Sequence, residues 1–173
     1  MKMPFSLTAL GISLCLVVSS PSYADVTTAR NFVEYDTNVL TSGQPAEEIL
    51  RTVADDEIEV VINLVPEYES VNNPQESDIL SAQGVEYIHL PVSWTTPETK
   101  TLAKFIDIMN GLGDRKVLVH CWLNVRASAY VYAHRVTQHP DTQDAEFERL
   151  ETVWSEVADV ELATPPNWMT FLE

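Results

Sequence analysis

Val117-Leu118-Val119-His120-Cys121-Trp122-Leu123-Asn124-Val125-Arg126-Ala127-Ser128 is the stretch from which the fold of this chain is read. An apolar strand, Lys116 to His120, runs into a short loop. A helix is expected from Val125 to Val136, because Ala127, Tyr130, Val131 and His134 recur at spacings of three and four. Cys121 opens the loop and Arg126 closes it, with four residues between them. In such a turn, successive backbone N–H groups point inward and the helix N-terminus adds a partial positive charge. The planar fork of Arg126 can grip two oxygens of a tetrahedral anion. The same field favours a thiolate, which makes Cys121 a candidate nucleophile. The bland alternative is a buried strand-end cysteine beside a structural arginine. Cys-x4-Arg alone is common, and it is the strand-loop-helix setting that points to an anion site.

Upstream, the same alternation repeats. Asn38 to Thr41 is β-prone, Ser42-Gly43-Gln44-Pro45 is a turn, and Ala46 to Ala54 has Ile49, Leu50 and Val53 on one helical face. Glu57 to Leu64 becomes a continuous apolar run, as in a strand buried on both faces of a parallel sheet. A helix from Pro74 to Gln83 stops at Gly84, and Val85 to Leu90 is the next strand. Thr96-Pro97-Glu98 opens a helix to about Leu112, with Thr96 as cap and Pro97 first. Downstream, Asp144 to Val157 is amphipathic and the tail from Thr164 suits a short docked helix. Strands alternating with helices imply right-handed crossovers and an α/β, three-layer sandwich with a mostly parallel central sheet.

The N-terminus reads as an export signal: Lys2, then an apolar run from Phe5 to Val18, then Ser22-Tyr23-Ala24 as a small-x-small cleavage site. The run is short for a membrane span. The expected organisation is a signal peptide over residues 1–24, a polar, irregular lead-in over 25–37 and one domain over 38–173. Cleavage after Ala24 leaves 149 of the 173 residues and removes Lys2, taking the formal net charge from −16 to −17. The expected location is periplasmic or secreted, without stable membrane insertion after cleavage. So acidic a surface disfavours nucleic acid and anionic membranes. Any anion must therefore be met by a local basic concavity. Cleavage also leaves Cys121 as the lone cysteine, unable to form an internal disulfide.

Four ordered motifs resemble the beta-lactamase-hydrolase-like phosphatase family, within the dual-specificity and tyrosine phosphatase superfamily. They are Thr41-Ser-Gly-Gln-Pro45, Val60-Val-Ile-Asn-Leu64 followed by Glu67, Ile88-His-Leu-Pro-Val92, and Val119-His-Cys with Arg126-Ala-Ser128. The resemblance covers about residues 38 to 137. It implies a cysteine-phosphatase-like fold and hydrolysis of a phosphomonoester through a cysteinyl-phosphate. Cys121 would be the nucleophile and Arg126 the phosphate clamp. His120, Trp122, Leu123, Asn124 and Val125 would shape and line the cradle, with Ser128 just beyond it. Trp94 is a candidate pocket wall. The expected partner is a phosphorylated substrate or a free phosphate- or sulfate-like anion, with no cofactor and no metal.

Departures from the family pattern frame the alternatives. The family's loop has five residues between Cys and Arg, whereas four is the spacing of rhodanese-type sulfurtransferases. Asn124 stands where glycine is usual and Ala127 where Ser or Thr is usual. The loop expected to carry an acidic proton donor, Ser93 to Glu98, contains no Asp, so Glu98 is the nearest candidate general acid. Asp107 lies deeper in the following helix and is expected to be solvated. A sulfurtransferase with a persulfide on Cys121 and a non-catalytic phosphate-binding module are the rival readings.

Overall fold

The computed structural model describes residues 24–160 and 166–172. The expected signal segment up to Tyr23 lies outside the described residues. Within them the chain runs β1 (Val33–Glu34), β2 (Val39–Ser42), α1 (Glu47–Leu50), β3 (Val60–Asn63), α2 (Glu76–Ser81), β4 (Glu86–His89), α3 (Thr99–Leu112), β5 (Val117–His120), α4 (Val125–Gln138), α5 (Gln143–Thr152) and α6 (Pro166–Leu172). A π-helical turn, Val153–Val157, continues α5. No helix among the described residues is long and apolar enough to cross a membrane.

The five strands order as β1-β2-β5-β3-β4, with β1 antiparallel and all other pairs parallel. The period of two along each strand sorts the core onto two faces. Val60, Ile62, Val117 and Val119 pack with Phe105, Tyr130, Leu150, Trp154 and Trp168. Val61 and Leu118 point the other way, onto Ile49, Leu50, Val53, Ile79 and Leu80. Helices α3 to α6 thus cover one face and α1 and α2 the other, giving the three layers expected from the alternation. Burying one such large apolar side chain contributes roughly 1.5–3 kcal/mol.

This topology positions the site. β5 is the central strand, and the register aligns Ser42 and Asn63 with His120, and Asn63 with His89. A polar row therefore crosses the carboxyl ends of four strands, which is where open α/β sheets bind ligands.

Two local expectations are corrected. Residues 25–37 are not an irregular lead-in: Val26, Ala29 and Tyr35 are buried, and β1 pairs with β2. Arg149 on α5 holds this edge, donating to the carbonyls of Glu34 and Tyr35 and stacking 4.3 Å from the Tyr35 ring centroid. The third helix begins at Thr99, with Glu98 rather than Thr96 at the cap position. The backbone N–H and the hydroxyl of Thr96 both donate to Ser93 Oγ, closing a turn ahead of the helix. At its other end Gly113, at φ 60° and ψ −129°, takes a conformation that side chains disfavour, and the helix stops.

Candidate active site

The Cys121 loop is held from behind by the turn that follows β2. Cys121 N–H donates to Ser42 O (3.2 Å) and Gln44 N–H to Trp122 O (3.1 Å). Between these, a Cβ on Gly43 would lie 2.7 Å from Trp122 O and 3.1 Å from Arg30 O. Only glycine lets the two loops approach so closely. The Ser42-Gly43-Gln44 signature is thus a backing plate for the Cys121 loop.

Asn124 takes the left-handed conformation, φ 72°, at the cap of α4. Asparagine tolerates it better than most residues. Its amide turns away from the cradle, donating to Asn31 O (2.7 Å) and Thr41 Oγ1 (2.9 Å). Asn31 answers with a bond from Nδ2 to Leu123 O (3.0 Å). The early segment therefore clasps the loop, a role its sequence does not signal. The first amides of α4 have no helical acceptor, as at any helix N-terminus.

Arg126 is 2 % exposed and fixed by three hydrogen bonds. Nη1 donates to Glu69 Oε1 (2.7 Å) and Val92 O (2.8 Å), and Nη2 to Glu69 Oε2 (2.7 Å). Guanidinium has five N–H donors. The side-on pair, Nε–H and one Nη2–H, is left over, and Nε is buried without a partner among the described residues. Burial works against the charge. The Glu69 carboxylate and the Cys121 sulfur beside it outweigh that cost and hold the guanidinium more firmly protonated than usual. Glu69, not the Glu67 of the sequence resemblance, is the acid that meets the arginine.

His120 and Glu76 form a second buried pair, Nε2 to Oε1 at 2.6 Å, with neither side chain exposed. Gln44 Nε2 (3.2 Å) and Asn63 Nδ2 (3.3 Å) donate to the other carboxylate oxygen. His89 bonds through Nε2 to Val65 O (2.7 Å).

A cavity of about 370 Å³ opens beside the loop, lined by Trp94, Trp122, Leu123, Val125, Val160, Glu69 and Arg126. Trp94 walls it while stacking on Trp168, whose indole N–H donates to Trp94 O (2.7 Å). Trp122 is 41 % exposed, whereas Cys121 has no exposed surface. Ser128 is not drawn to the cradle: its hydroxyl donates to Val125 O (3.1 Å) and accepts from Trp154 Nε1 (3.1 Å). Glu98 lines a separate cavity of about 140 Å³ with Ser93, Thr96, Thr101 and Tyr130. Its side chain makes no capping bond to α3.

Comparison with known proteins gives the family and the fold. The family model described as DSP-PTPase phosphatase fused to NAD+ kinase matches residues 17–162. No curated protein matches the chain. Among solved structures, a DUF442 candidate phosphatase of Shewanella putrefaciens CN-32 is 29% identical, with TM-score 0.74, over 83% of this chain and 87% of that one. PTPMT1 is 24% identical at TM-score 0.60, over 82% and 93% of the two chains. The catalytic core of the PP-IP phosphatase SIW14 of S. cerevisiae, solved with citrate, is 16% identical at TM-score 0.58, over 83% and 93%. The last two share the fold.

Proposed function

The chain belongs to the family described as DSP-PTPase phosphatase fused to NAD+ kinase, and on that premise we propose that Cys121 and Arg126 carry out phosphomonoester hydrolysis at the loop closing β5. The observation that carries this reading is the side-on fork of Arg126, whose Nε is buried without a hydrogen-bond partner among the described residues and whose guanidinium interacts with the Cys121 side chain. An oxyanion is the partner such a charged donor lacks. The thiolate of Cys121 attacks phosphorus, the S–P bond forms, and the ester oxygen leaves with its electron pair. Water then attacks phosphorus, returning the thiolate and inorganic phosphate. Arg126 and the first amides of α4 meet the charge on the equatorial oxygens, and Glu69 keeps the guanidinium in plane.

Two features set the rate low: the sulfur has no exposed surface, and residues 93 to 98 offer no Asp as a proton donor. The apolar lining of the neighbouring cavity suits esters whose organic part is apolar. Export to the periplasm or beyond remains part of the proposal, supported by the sequence of residues 1–24. Sulfur transfer draws its support from the four-residue loop alone.

The test is an assay of the purified protein for p-nitrophenyl phosphate hydrolysis and for thiosulfate-to-cyanide sulfur transfer, with Cys121→Ser in parallel. Weak phosphate release, no thiocyanate, and loss of turnover with retained phosphate binding in Cys121→Ser are expected. Robust thiocyanate without phosphate release, or a fully active Cys121→Ser, overturns the reading.

A further inference from the structure

We infer that Glu76 is a positioning residue for Cys121: its buried carboxylate holds His120 as an imidazolium, and that charge, one residue before the sulfur, favours the thiolate. The inference rests on reading Cys121 as the nucleophile. Its basis is geometric. His120 Nε2 lies 2.6 Å from Glu76 Oε1, and both side chains are wholly buried. The other oxygen takes Gln44 Nε2 at 3.2 Å and Asn63 Nδ2 at 3.3 Å. Three elements, the turn after β2, β3 and β5, therefore converge on one carboxylate delivered by α2.

A carboxylate wholly removed from water is tolerated only when it is neutralised or paired with a cation and hydrogen-bonded. Burial pushes the Glu76 carboxyl up, but the His120 charge and hydrogen bond, then the Gln44 bond and His89, carry it below the usual carboxylate range. A carboxylate so placed needs a basic partner against it. The charged or titratable groups around the pair are Tyr87 and His89 from β4, Glu67 from the loop after β3, Cys121 itself and Arg126. Burial holds Tyr87 neutral, its hydroxyl pushed up to about 12. Arg126 is paired with Glu69, and His89 is committed to Val65 O. Among the described residues, His120 is the one basic side chain in direct contact with the carboxylate. Its Nδ1 is buried and without a hydrogen-bond partner among the described residues.

The sign of the Glu76→Gln effect decides the matter. If His120 is an imidazolium held by Glu76, removing the carboxylate lets it become neutral, and the thiolate loses support. If His120 is neutral, the same change only removes a nearby negative charge, and the thiolate gains. The readout is the pH titration of thiolate ultraviolet absorbance in the full chain, with Cys121→Ser as the blank for Cys15. Glu76→Gln is expected to lower the thiolate fraction at pH 6 by about tenfold. His120→Asn should do the same, and the double variant should be no worse than His120→Asn alone. An unchanged or increased thiolate fraction in Glu76→Gln overturns the inference. Should that variant fail to fold, ¹⁵N resonances of His120 in the wild type decide: two protonated ring nitrogens at pH 7 support it, and one overturns it. Both readouts are independent of turnover. A Cys121→Ser enzyme that still works would sink the nucleophile reading and leave the Glu76–His120 result standing on its own.

Discussion

Cys121 sits between two carboxylate–cation pairs built for different ends. The Arg126–Glu69 pair borders the apolar cavity, and its guanidinium keeps two N–H donors that neither Glu69 nor Val92 takes. The His120–Glu76 pair is sealed, and both carboxylate oxygens are occupied by protein donors. Neither pair is explained by stability, since a well-packed apolar replacement commonly matches or exceeds a buried ion pair. The difference between them is that one can still bind a ligand and the other can only hold its partner. Arg126 is clamped so that its remaining fork faces one way, and His120 is clamped so that it does not move.

The most severe way to break the open pair is Arg126→Lys. Lysine keeps the charge but cannot serve Glu69, Val92 and an anion through one rigid plane. A fall of roughly a hundredfold in kcat/KM for p-nitrophenyl phosphate is expected, the usual consequence of losing a preorganised charged donor. A wild-type rate would remove Arg126 from the site.

Glu69→Gln probes the same pair from its other side and should cost less. The amide can meet only one of the two Nη groups as an acceptor, so the fork is held but loosely aimed. On the order of tenfold in kcat, with KM less affected, is the expected result, because misaiming harms the transition state more than binding. Equal losses from Glu69→Gln and Glu67→Gln would show that Glu69 has no special place.

The sealed pair should declare itself in acid rather than in rate. Glu76 has a carboxyl held below its ordinary range in the folded state. Its contribution is therefore complete above about pH 4.3, the unperturbed value for glutamate, and is lost as pH falls through the lower folded value. Urea unfolding between pH 7 and pH 3 should show wild-type stability declining at the acid end. Glu76→Gln should start lower at pH 7 and decline less. Parallel declines would mean the pair does not couple to folding.

How these pairs could be foreseen differs residue by residue. The strand-loop-helix around Cys121 was legible because an apolar run, a cysteine and an arginine fall within ten residues. The sheet was legible because alternation fixes which residues share a face. Glu69 was not, because two glutamates two residues apart in an irregular loop are equivalent until the loop is folded. Glu76 was hidden by its helix: an acid in a first turn ordinarily signals a solvated dipole partner, and here it is turned inward by donors from three other elements. The β1 strand is two residues long, shorter than any periodicity can register, so the segment leading into it, whose Asn31 clasps Leu123 and Asn124, was invisible.

The smallest effect is expected outside both pairs, at Glu98. A leaving oxygen of low pKa departs unprotonated, whereas an alkoxide or unactivated phenolate needs a proton. A positioned general acid is typically worth ~10²–10⁴-fold for the latter. Glu98 is exposed, and its cavity shares no lining residue with the one that holds Arg126. Its carboxylate also makes no cap bond to α3, so replacing it disturbs little. Wild-type kcat/KM should therefore fall steeply across a series of aryl phosphates of rising leaving-group pKa. Glu98→Gln should lie on the same line, within about twofold, a change too small for a lost proton donor. A shallow wild-type slope that steepens in Glu98→Gln would make Glu98 the acid. It would also require the Ser93–Glu98 turn, closed by Thr96 on Ser93, to open toward Cys121 when substrate binds.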